Sequence, residues 1–342
     1  MGAAKGVTVN DVAVAAGVSR QTVSNVLNSP ERVTPDTRDR VLAAIRRLGY
    51  QPNRVAQALR AHASRLIGYR IQPLRAEALG AILDRFLHAL AESARQVDHH
   101  LLLFSADDAD EVATSRRLYS GGAVDGFVLM NIGYADPRPA AIAALGAPFA
   151  SFGRTSDEHP WVDVDNAAGT EAATEHLIAA GHRRIGYVGM PDGSRVLDDR
   201  AEGWRRAMTG HGLPVDGLSR GTVDDIDSGA RVAAQLLDRP DPPTAIVAAT
   251  DGFAVGAMRA AQQRGLLVGE ELAITGFDDT PTAAVLGLTS VRQPVEDVAR
   301  AMMSVLLPRL RGAAPAGSPP AGPPGGTLCR PELIVRGSSG KA

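Results

Sequence analysis

From residue 66 onward, short apolar runs alternate with amphipathic segments, and this alternation constrains the fold more than any other feature of the chain. Runs typical of strands cover residues 66–71, 101–105, 126–130 and 148–152. Helices are predicted between them, over residues 79–97, 109–120 and 138–145. Strands that alternate with helices are joined by right-handed crossovers, which predicts a parallel sheet covered on both faces.

A second series repeats the same plan. Its predicted helices cover residues 167–180, 199–211, 229–238 and 253–264, and its predicted strands cover 185–189, 245–249 and 272–276. A helix over 295–311, a Pro- and Gly-rich loop over 312–326 and a closing strand over 333–335 follow. Two α/β units in series predict two lobes with a cleft between them.

Polar residues stand where several of these strands end. They are Asn131, Arg154, Thr250 with Asp251, and Asp278 with Asp279. Ligands of open parallel sheets bind at the carboxyl ends of the strands. We therefore expect a small-molecule site in the cleft, although Asp251 is interpreted as the cap of helix 253–264.

The composition is that of a soluble globular protein, with 44% hydrophobic and 22% charged residues. No apolar run has membrane length and no basic-then-apolar signal segment opens the chain, so the expected location is the cytoplasm, without a membrane partner. Cys329 is the single cysteine, which excludes an internal disulfide.

Before the α/β part, residues 8–28 read as two short helices joined by a tight turn. Thr8 and Ser19 are the expected N-caps, and Gly17 is the expected stop between the helices. The outer face of the second helix carries side chains that can bond to bases or phosphates, namely Arg20, Gln21, Ser24 and Asn25. This is the helix-turn-helix plan, and the alternative is a helical hairpin that caps a core.

The charge distribution favours the DNA-binding alternative. Residues 1–65 hold ten Lys and Arg against four Asp and Glu, although the whole chain carries a net charge of −2. A small basic domain on an acidic body is typical of a nucleic-acid reader. A third helix is predicted from Thr34 to Leu48. Pro52 then breaks the chain, and a short, marginal helix or a plain linker follows from Asn53.

Several stretches closely resemble the lactose-repressor/galactose-repressor family of transcription regulators. The resemblance runs nearly end to end. It rests on TVNDVAVAAGVSRQTVSNVLN (8–28), GYQPNRVAQAL (49–59), HLIAAGHRRI (176–185), RAEGW (200–204), DGFAVGA (251–257), GFDD (276–279) and PELIVRGS (331–338).

For the N-terminal part, the resemblance implies a homodimer that reads a roughly palindromic double-stranded operator. Base edges would be read by Arg20 and Gln21 first and by Asn25 second. Phosphate contacts or helix caps would come from Thr8, Ser19, Thr22, Ser24 and Asn28; solvated helix surface is the alternative for Thr22 and Ser24. A hinge helix would place Asn53, Arg54, Ala56 and Leu59 at the minor groove, with Leu59 as the wedge or merely as dimer packing.

The implied domains are a helix-turn-helix domain (1–50), a hinge (51–65) and a core (66–340). The core resembles the periplasmic sugar-binding fold, in which the chain passes between the lobes three times, here near residues 165, 292 and 326. The first lobe would comprise about 66–165 and 293–326, and the second about 166–292 and 327–340. No tetramerising leucine repeat is present, so a dimer is expected.

The resemblance also implies a controlling small-molecule effector between the lobes, a sugar or sugar derivative, with a nucleobase or another non-sugar effector as the alternative. Arg200 and Asp278 would form its polar clamp, unless they merely pair with each other. Weaker candidates are Asn131, Arg154, Thr250 and Phe253, and Trp161 and Phe152 are further aromatic options. No residue of 72–79 is assigned. We expect no cofactor, no metal site and no catalytic residues; a transporter's solute-binding protein and an enzyme are the competing hypotheses.

Overall fold

The computed structural model describes residues 7–50, 63–71, 77–107, 110–154, 159–190, 195–310 and 326–340. They fall into two compact units, one that ends at Ser64 and one that begins at Arg65.

The first unit contains helices α1 (Val9–Ala16), α2 (Arg20–Asn28) and α3 (Pro35–Leu48) and a 3-10 turn (Pro30–Arg32). A capping box starts α1, because the Asp11 amide donates to Thr8 Oγ1 at 3.4 Å and the Thr8 amide donates to Asp11 Oδ2 at 2.8 Å. Gly17 ends this helix with φ of 64°, a left-handed conformation that costs glycine little. Ser19 then caps α2, since its Oγ accepts from the Thr22 amide at 3.1 Å.

A small apolar core holds the three helices together. Val12, Val23 and Val41 are fully buried, and Val9 and Ile45 pack against them while half-buried. Each fully buried valine contributes about 1.5–3 kcal/mol relative to exposure, so the helices depend on mutual packing more than on their own propensity.

The second unit has two lobes, each with a six-stranded sheet. The first lobe contains β1 (Leu66–Arg70), α4 (Glu77–Gln96), β2 (His100–Phe104), α5 (Glu111–Ser120), β3 (Gly126–Leu129), α6 (Pro137–Ala144), β4 (Phe149–Phe152) and β5 (Trp161–Val164). It also takes up α12 (Val295–Leu310) and β11 (Thr327–Cys329). Its strand order is β11-β5-β4-β3-β1-β2, all parallel.

The second lobe contains α7 (Asn166–Ala179), β6 (Ile185–Gly189), α8 (Arg195–Gly210), β7 (Ser219–Gly221), α9 (Ile226–Leu237), β8 (Ala245–Ala248), α10 (Asp251–Gln262), β9 (Ala273–Phe277), α11 (Pro281–Val285), β10 (Thr289–Arg292) and β12 (Glu332–Ile334), followed by a 3-10 turn (Gly337–Ser339). Its strand order is β12-β10-β9-β8-β6-β7. β12 pairs antiparallel with β10, while the other pairs are parallel. β12 enters this sheet directly from the first lobe and not over a crossover helix, so nothing requires it to be parallel.

The chain passes between the lobes three times. The first passage lies between Val164 and Asn166, and the second between Arg292 and Val295. The third lies between Cys329 and Glu332, a few residues later than expected, because Thr327–Cys329 pairs with β5 and so still belongs to the first lobe. The predicted loop over 312–326 lies outside the described residues except for Gly326, and so do residues 72–76.

Each sheet is covered by apolar side chains of its helices. In the first lobe, Phe86 and Leu90 of α4 and Met302 of α12 cover one face, and Ile142 of α6 belongs to the core on the other. In the second lobe, α7 and α8 approach so closely that a Cβ at Gly203 would collide with the Ala167 carbonyl oxygen. This close approach fixes the position of α8, which carries Arg200. Within the described part of the chain, no helix is long and apolar enough to cross a membrane.

Candidate nucleic-acid interface and effector cleft

The first turn of α2 presents two long polar side chains to solvent. Arg20 and Gln21 are both exposed and follow directly after the cap at Ser19. Gln21 Nε2 donates to Asn25 Oδ1 at 3.0 Å, one helical turn away. The two amide side chains are therefore aligned along one face of the helix, which is the arrangement needed to meet base edges in a groove.

The other polar residues of this unit have local roles in the structure. Thr8 and Ser19 cap helices, and Ser19 Oγ lies 2.9 Å from Thr22 Oγ1. Thr22 and Ser24 are half-buried. The side chain of Asn28 lies outside the described residues, as do the hinge residues Asn53, Arg54, Ala56 and Leu59, so their assignments stay predictions.

In the second lobe, a buried guanidinium joins several elements. Arg200 on α8 is 4% exposed. Its Nε donates to Asn166 Oδ1 at 2.9 Å and its Nη1 donates to the Ala249 carbonyl at 2.6 Å. Its Cζ lies 3.6 Å from the centroid of the Phe277 ring. Arg200 is thereby held against the carboxyl ends of β8 and β9.

Asp278 is the buried partner of this guanidinium. Asp278 Oδ1 lies 3.6 Å from Arg200 Nη1 and accepts a hydrogen bond from Gln293 Nε2 at 2.6 Å. Burial raises the pKa of Asp278 and the negative charge of Asp251 adds to this, whereas Arg200 opposes it. The structure thus contains the Arg200–Asp278 ion pair that the sequence analysis left open as an alternative. Its separation is longer than a hydrogen bond, so both side chains can still bond to a further partner.

Neighbouring acidic residues mainly fix the loops at the strand ends. Thr250, and not Asp251, caps α10, because its Oγ1 accepts from the Phe253 amide at 3.2 Å. Thr250 Oγ1 also donates to Asp224 Oδ1 at 2.8 Å. Asp251 instead accepts from Ser290 Oγ and from the Thr280 amide, so its predicted capping role is wrong.

Phe253 lies elsewhere than its expected role requires. Its side chain is 0% exposed and belongs to the hydrophobic core of the second lobe. The backbone of Phe253 packs against Gly229, where an added Cβ would lie 3.0 Å from Phe253 Cα. The first turn of α10 faces the core, and a large aromatic ring at such a position is buried there. This corrects the expectation that Phe253 contacts a ligand.

The first lobe contributes a polar group at the ends of β4 and β5. Asp163 is fully buried on β5, with its Oδ2 3.5 Å from Arg154 Nε, and the Arg154 guanidinium lies 5.7 Å from the Trp161 ring centroid. Burial raises the pKa of Asp163 to about 6, although Arg154 and Arg200 lower it. Asn131 is exposed with φ of 52°, and its carbonyl accepts from Arg138 Nη2 at 2.8 Å.

Several buried polar atoms around these residues have no hydrogen-bond partner among the described residues. They are Arg154 Nε, Trp161 Nε1, Asp163 Oδ2 and Asp224 Oδ2. An unsatisfied buried polar group costs about 1–3 kcal/mol, so buried atoms of this kind are typical of a site that completes its bonds with a polar ligand. Sequence reasoning missed Asp163, Asn166, Asp224 and Gln293. The only signal was Asp163, a lone acid within the apolar run Trp161–Val164.

A helix-turn-helix unit followed in the chain by a two-lobed α/β core with polar groups at its strand ends is the organisation of one class of transcription regulators. Comparison with known proteins makes this assignment specific. Residues 8–53 match the model described as bacterial regulatory proteins of the lacI family, and residues 174–339 match the periplasmic binding protein-like domain.

The chain is 35% identical to the HTH-type transcriptional regulator AglR of Rhizobium meliloti, over 98% of this chain and 95% of AglR. It is 33% identical to CelR of Thermobifida fusca, over 89% of this chain and 92% of CelR. The chain therefore belongs to the lacI family and is a DNA-binding transcription regulator. Membership of this family decides against the enzyme and solute-binding-protein hypotheses.

Two solved structures align over nearly the whole chain. A CelR–cellobiose complex covers 97% of this chain and all of its own, with 30% identity and a TM-score of 0.72. The lac repressor dimer bound to operator and the anti-inducer ONPF covers 98% of this chain and all of its own, with 29% identity and a TM-score of 0.80.

Proposed function

We propose that this protein is a repressor that binds a palindromic operator as a homodimer in the cytoplasm and is controlled by a sugar. The DNA-reading part of the proposal rests on one observation, the exposed Arg20 and Gln21 on the first turn of a capped helix. Arginine pairs with guanine and glutamine with adenine in the major groove. Asn25, bonded to Gln21, is the second-tier reader.

The remaining DNA contacts in the proposal follow the family. Thr8, Ser19, Thr22, Ser24 and Asn28 contact phosphates or cap helices. The proposal takes the hinge at residues 51–65 from the family alone: Asn53, Arg54 and Ala56 would pack at the minor groove, and Leu59 would wedge between base steps. The lac repressor dimer on its operator supports this two-fold arrangement.

The test of base reading compares Arg20→Ala with Arg47→Ala by fluorescence anisotropy on a duplex selected from a random library with the full chain. Both variants remove one exposed positive charge from the same unit, but Arg47 lies at the end of α3. We expect Arg20→Ala to weaken binding about 5- to 150-fold and to relax specificity at one base pair. Equal effects of the two variants would refute base reading by Arg20.

The proposed effector is a neutral sugar bound by Arg200 and Asp278 together with Arg154, Thr250 and Asn131. The support is the set of buried polar atoms without a hydrogen bond, of which Arg154 Nε and Asp163 Oδ2 face each other only as an ion pair of 3.5 Å, since hydroxyl groups both donate and accept and can satisfy a carboxylate, a guanidinium and an indole N–H at once. Cellobiose is the first compound to test, because it is bound in the related CelR complex.

A thermal-shift screen of the full chain against cellobiose, other disaccharides, monosaccharides and nucleosides tests this class. A ligand at a hundred times its Kd stabilises the folded chain by about 2.7 kcal/mol, which raises the midpoint by several degrees. We expect a sugar to give this shift with wild type and not with Asp278→Asn. Stabilisation by nucleosides alone would contradict the sugar class, and an unchanged shift in Asp278→Asn would contradict the site.

In the proposal, the effector controls operator binding through the arrangement of the two lobes. A ligand changes operator affinity only if it binds one lobe arrangement more tightly than the other, and the operator must then change ligand affinity by the same factor. Anisotropy titrations with and without the stabilising sugar measure this coupling, and light scattering of the free protein checks the dimer.

A further inference from the structure

Both lobes place charged and aromatic side chains against each other near the strand ends, apart from the Arg200–Asp278 pair. From the first lobe come Tyr134, after β3, and Arg154, after β4. From the second lobe come Arg195, Asp198 and Asp199, which share the first turns of α8. We call these five residues the inter-lobe bridge.

The bridge has three contacts. Arg154 Nη2 forms an ion pair with Asp199 Oδ2, and the exposed fractions of these side chains are 20% and 25%. Next to it, the Arg195 guanidinium lies 5.4 Å from the centroid of the Tyr134 ring. The Tyr134 hydroxyl bonds to Asp198, which raises the pKa of Tyr134. Tyr134 is otherwise an exposed large aromatic residue, at 49% exposure, so its position is explained by the opposite lobe.

The first-lobe side of the bridge is held rigidly. Arg138 Nη2 donates to the carbonyls of Met130 and Asn131 and to Asp136 Oδ2, at 2.7 to 2.9 Å. Arg138 Nη1 reaches Glu111 Oε2 at 3.1 Å, and the same oxygen accepts from Arg70 at 2.6 Å. A buried ion network therefore fixes both ends of the 131–136 loop that presents Tyr134.

We propose that the inter-lobe bridge holds the lobes closed in the absence of any effector, and that Arg154 and Tyr134 are positioning residues of the first lobe. Protein contacts across the cleft raise the population of the closed state. If the cleft binds an effector as proposed above, the bridge also sets effector affinity, because apparent affinity scales with the competent fraction.

The test measures lobe separation without ligand, so it does not depend on the identity of the effector. Fluorescent labels are placed at R116C in the first lobe and Q235C in the second, both exposed positions, in full-length chain carrying Cys329→Ser. Single-molecule energy transfer then gives the ratio of open to closed molecules. The variants are Asp199→Asn, Tyr134→Phe and Arg154→Gln. The matched control is Glu171→Gln, because it removes an ion pair between Glu171 and Arg206 that also involves α8 but lies within the second lobe.

We expect Asp199→Asn to raise the open-to-closed ratio about three- to fivefold in low salt, and the increase to shrink at high salt. Tyr134→Phe should raise it about twofold. The double variant Arg154→Gln/Asp199→Asn should open no further than Arg154→Gln alone, since the two groups act on each other. Circular dichroism melts identify any variant that fails to fold. If the charge variants fail, the open-to-closed ratio of Tyr134→Phe alone decides whether the bridge exists.

An unchanged ratio in Asp199→Asn and Tyr134→Phe would overturn the bridge, and so would an equal change in Glu171→Gln. With cellobiose as the probe, Asp199→Asn and Tyr134→Phe, which change no residue proposed to contact the sugar, should bind two- to fivefold more weakly. Absence of cellobiose binding to wild type would count against the proposed effector but would leave the ligand-free result standing.

Discussion

Replacement of Arg200 by methionine tests how the second lobe holds its buried charges. Methionine keeps an unbranched apolar chain over Phe277 but removes the guanidinium that pairs with Asp278 and bonds to Asn166 and Ala249. Asp278 then lies buried with Asp251 and Asp224 close enough to raise its pKa and with no cation to lower it.

Removal of one partner from a buried ion pair costs about 3–5 kcal/mol, because the remaining charge stays desolvated. We expect this cost for Arg200→Met at pH 7.5. Without Arg200, the pKa of Asp278 in the folded state rises further above its unfolded value, so the native state binds more protons than the unfolded state. Asp278 already has a pKa of about 7 in the folded wild type, so both proteins lose stability alike from about pH 4 to 7, and the variant falls further than wild type only as pH rises above about 7.

Urea denaturation of the full chain, followed by tryptophan fluorescence, measures this effect. Both tryptophans, Trp161 and Trp204, lie in the two-lobed unit, so the signal reports that unit alone. Arg206→Met is the matched control, since Arg206 is on the same helix but its side chain is 47% exposed; its expected cost is below about 1 kcal/mol.

The double variant Arg200→Met/Asp278→Asn separates charge from packing. If the uncompensated carboxylate causes the loss, the second change should restore about 1–3 kcal/mol. A cost of Arg200→Met within 1 kcal/mol of the control, or a double variant no more stable than the single, would refute the reasoning.

Two further predictions concern packing and titration. Gly203→Ala should cost about 1–3 kcal/mol in the same urea assay, because its Cβ collides with the backbone of α7, whereas Gly210→Ala, with open space around it, should cost nothing; similar costs would contradict the close helix approach. Asp163, whose folded pKa is raised to about 6, destabilises the chain as pH rises through the window from about 4 to 6. Asp163→Asn should therefore flatten the decline of stability over that window by up to about 3 kcal/mol, and a pH profile parallel to wild type would contradict the assignment.

Much of the architecture could be predicted, because long segments with regularly spaced apolar residues identify helices and strands unambiguously. The predicted strand over 185–189 has the observed bounds, and the predicted helix over 295–311 ends within one residue of the observed end. The missed strands are short or carry polar residues. β7 has three residues, and β10 buries Thr289 and Ser290, whose hydroxyls bond to Ser339, Arg336 and Asp251 instead of forming an apolar run.

The site was predictable only in part, for a related reason. Arg200 and Asp278 come from the family motifs, and the strand-end rule gave Arg154 and Thr250. Asn166 and Gln293 were missed because nothing local distinguishes a polar residue that faces a buried charge from one that faces solvent. Phe253 was placed wrongly because an aromatic residue next to a strand end is equally compatible with a ligand contact and with the core.

Asn166 and Gln293, which hold Arg200 and Asp278, stand at the first two passages between the lobes. Each of them is therefore part of a segment that connects the lobes and also a hydrogen-bond partner of the Arg200–Asp278 pair. A change in either hydrogen bond would therefore act directly on the backbone that joins the two lobes, without a relay of further side chains.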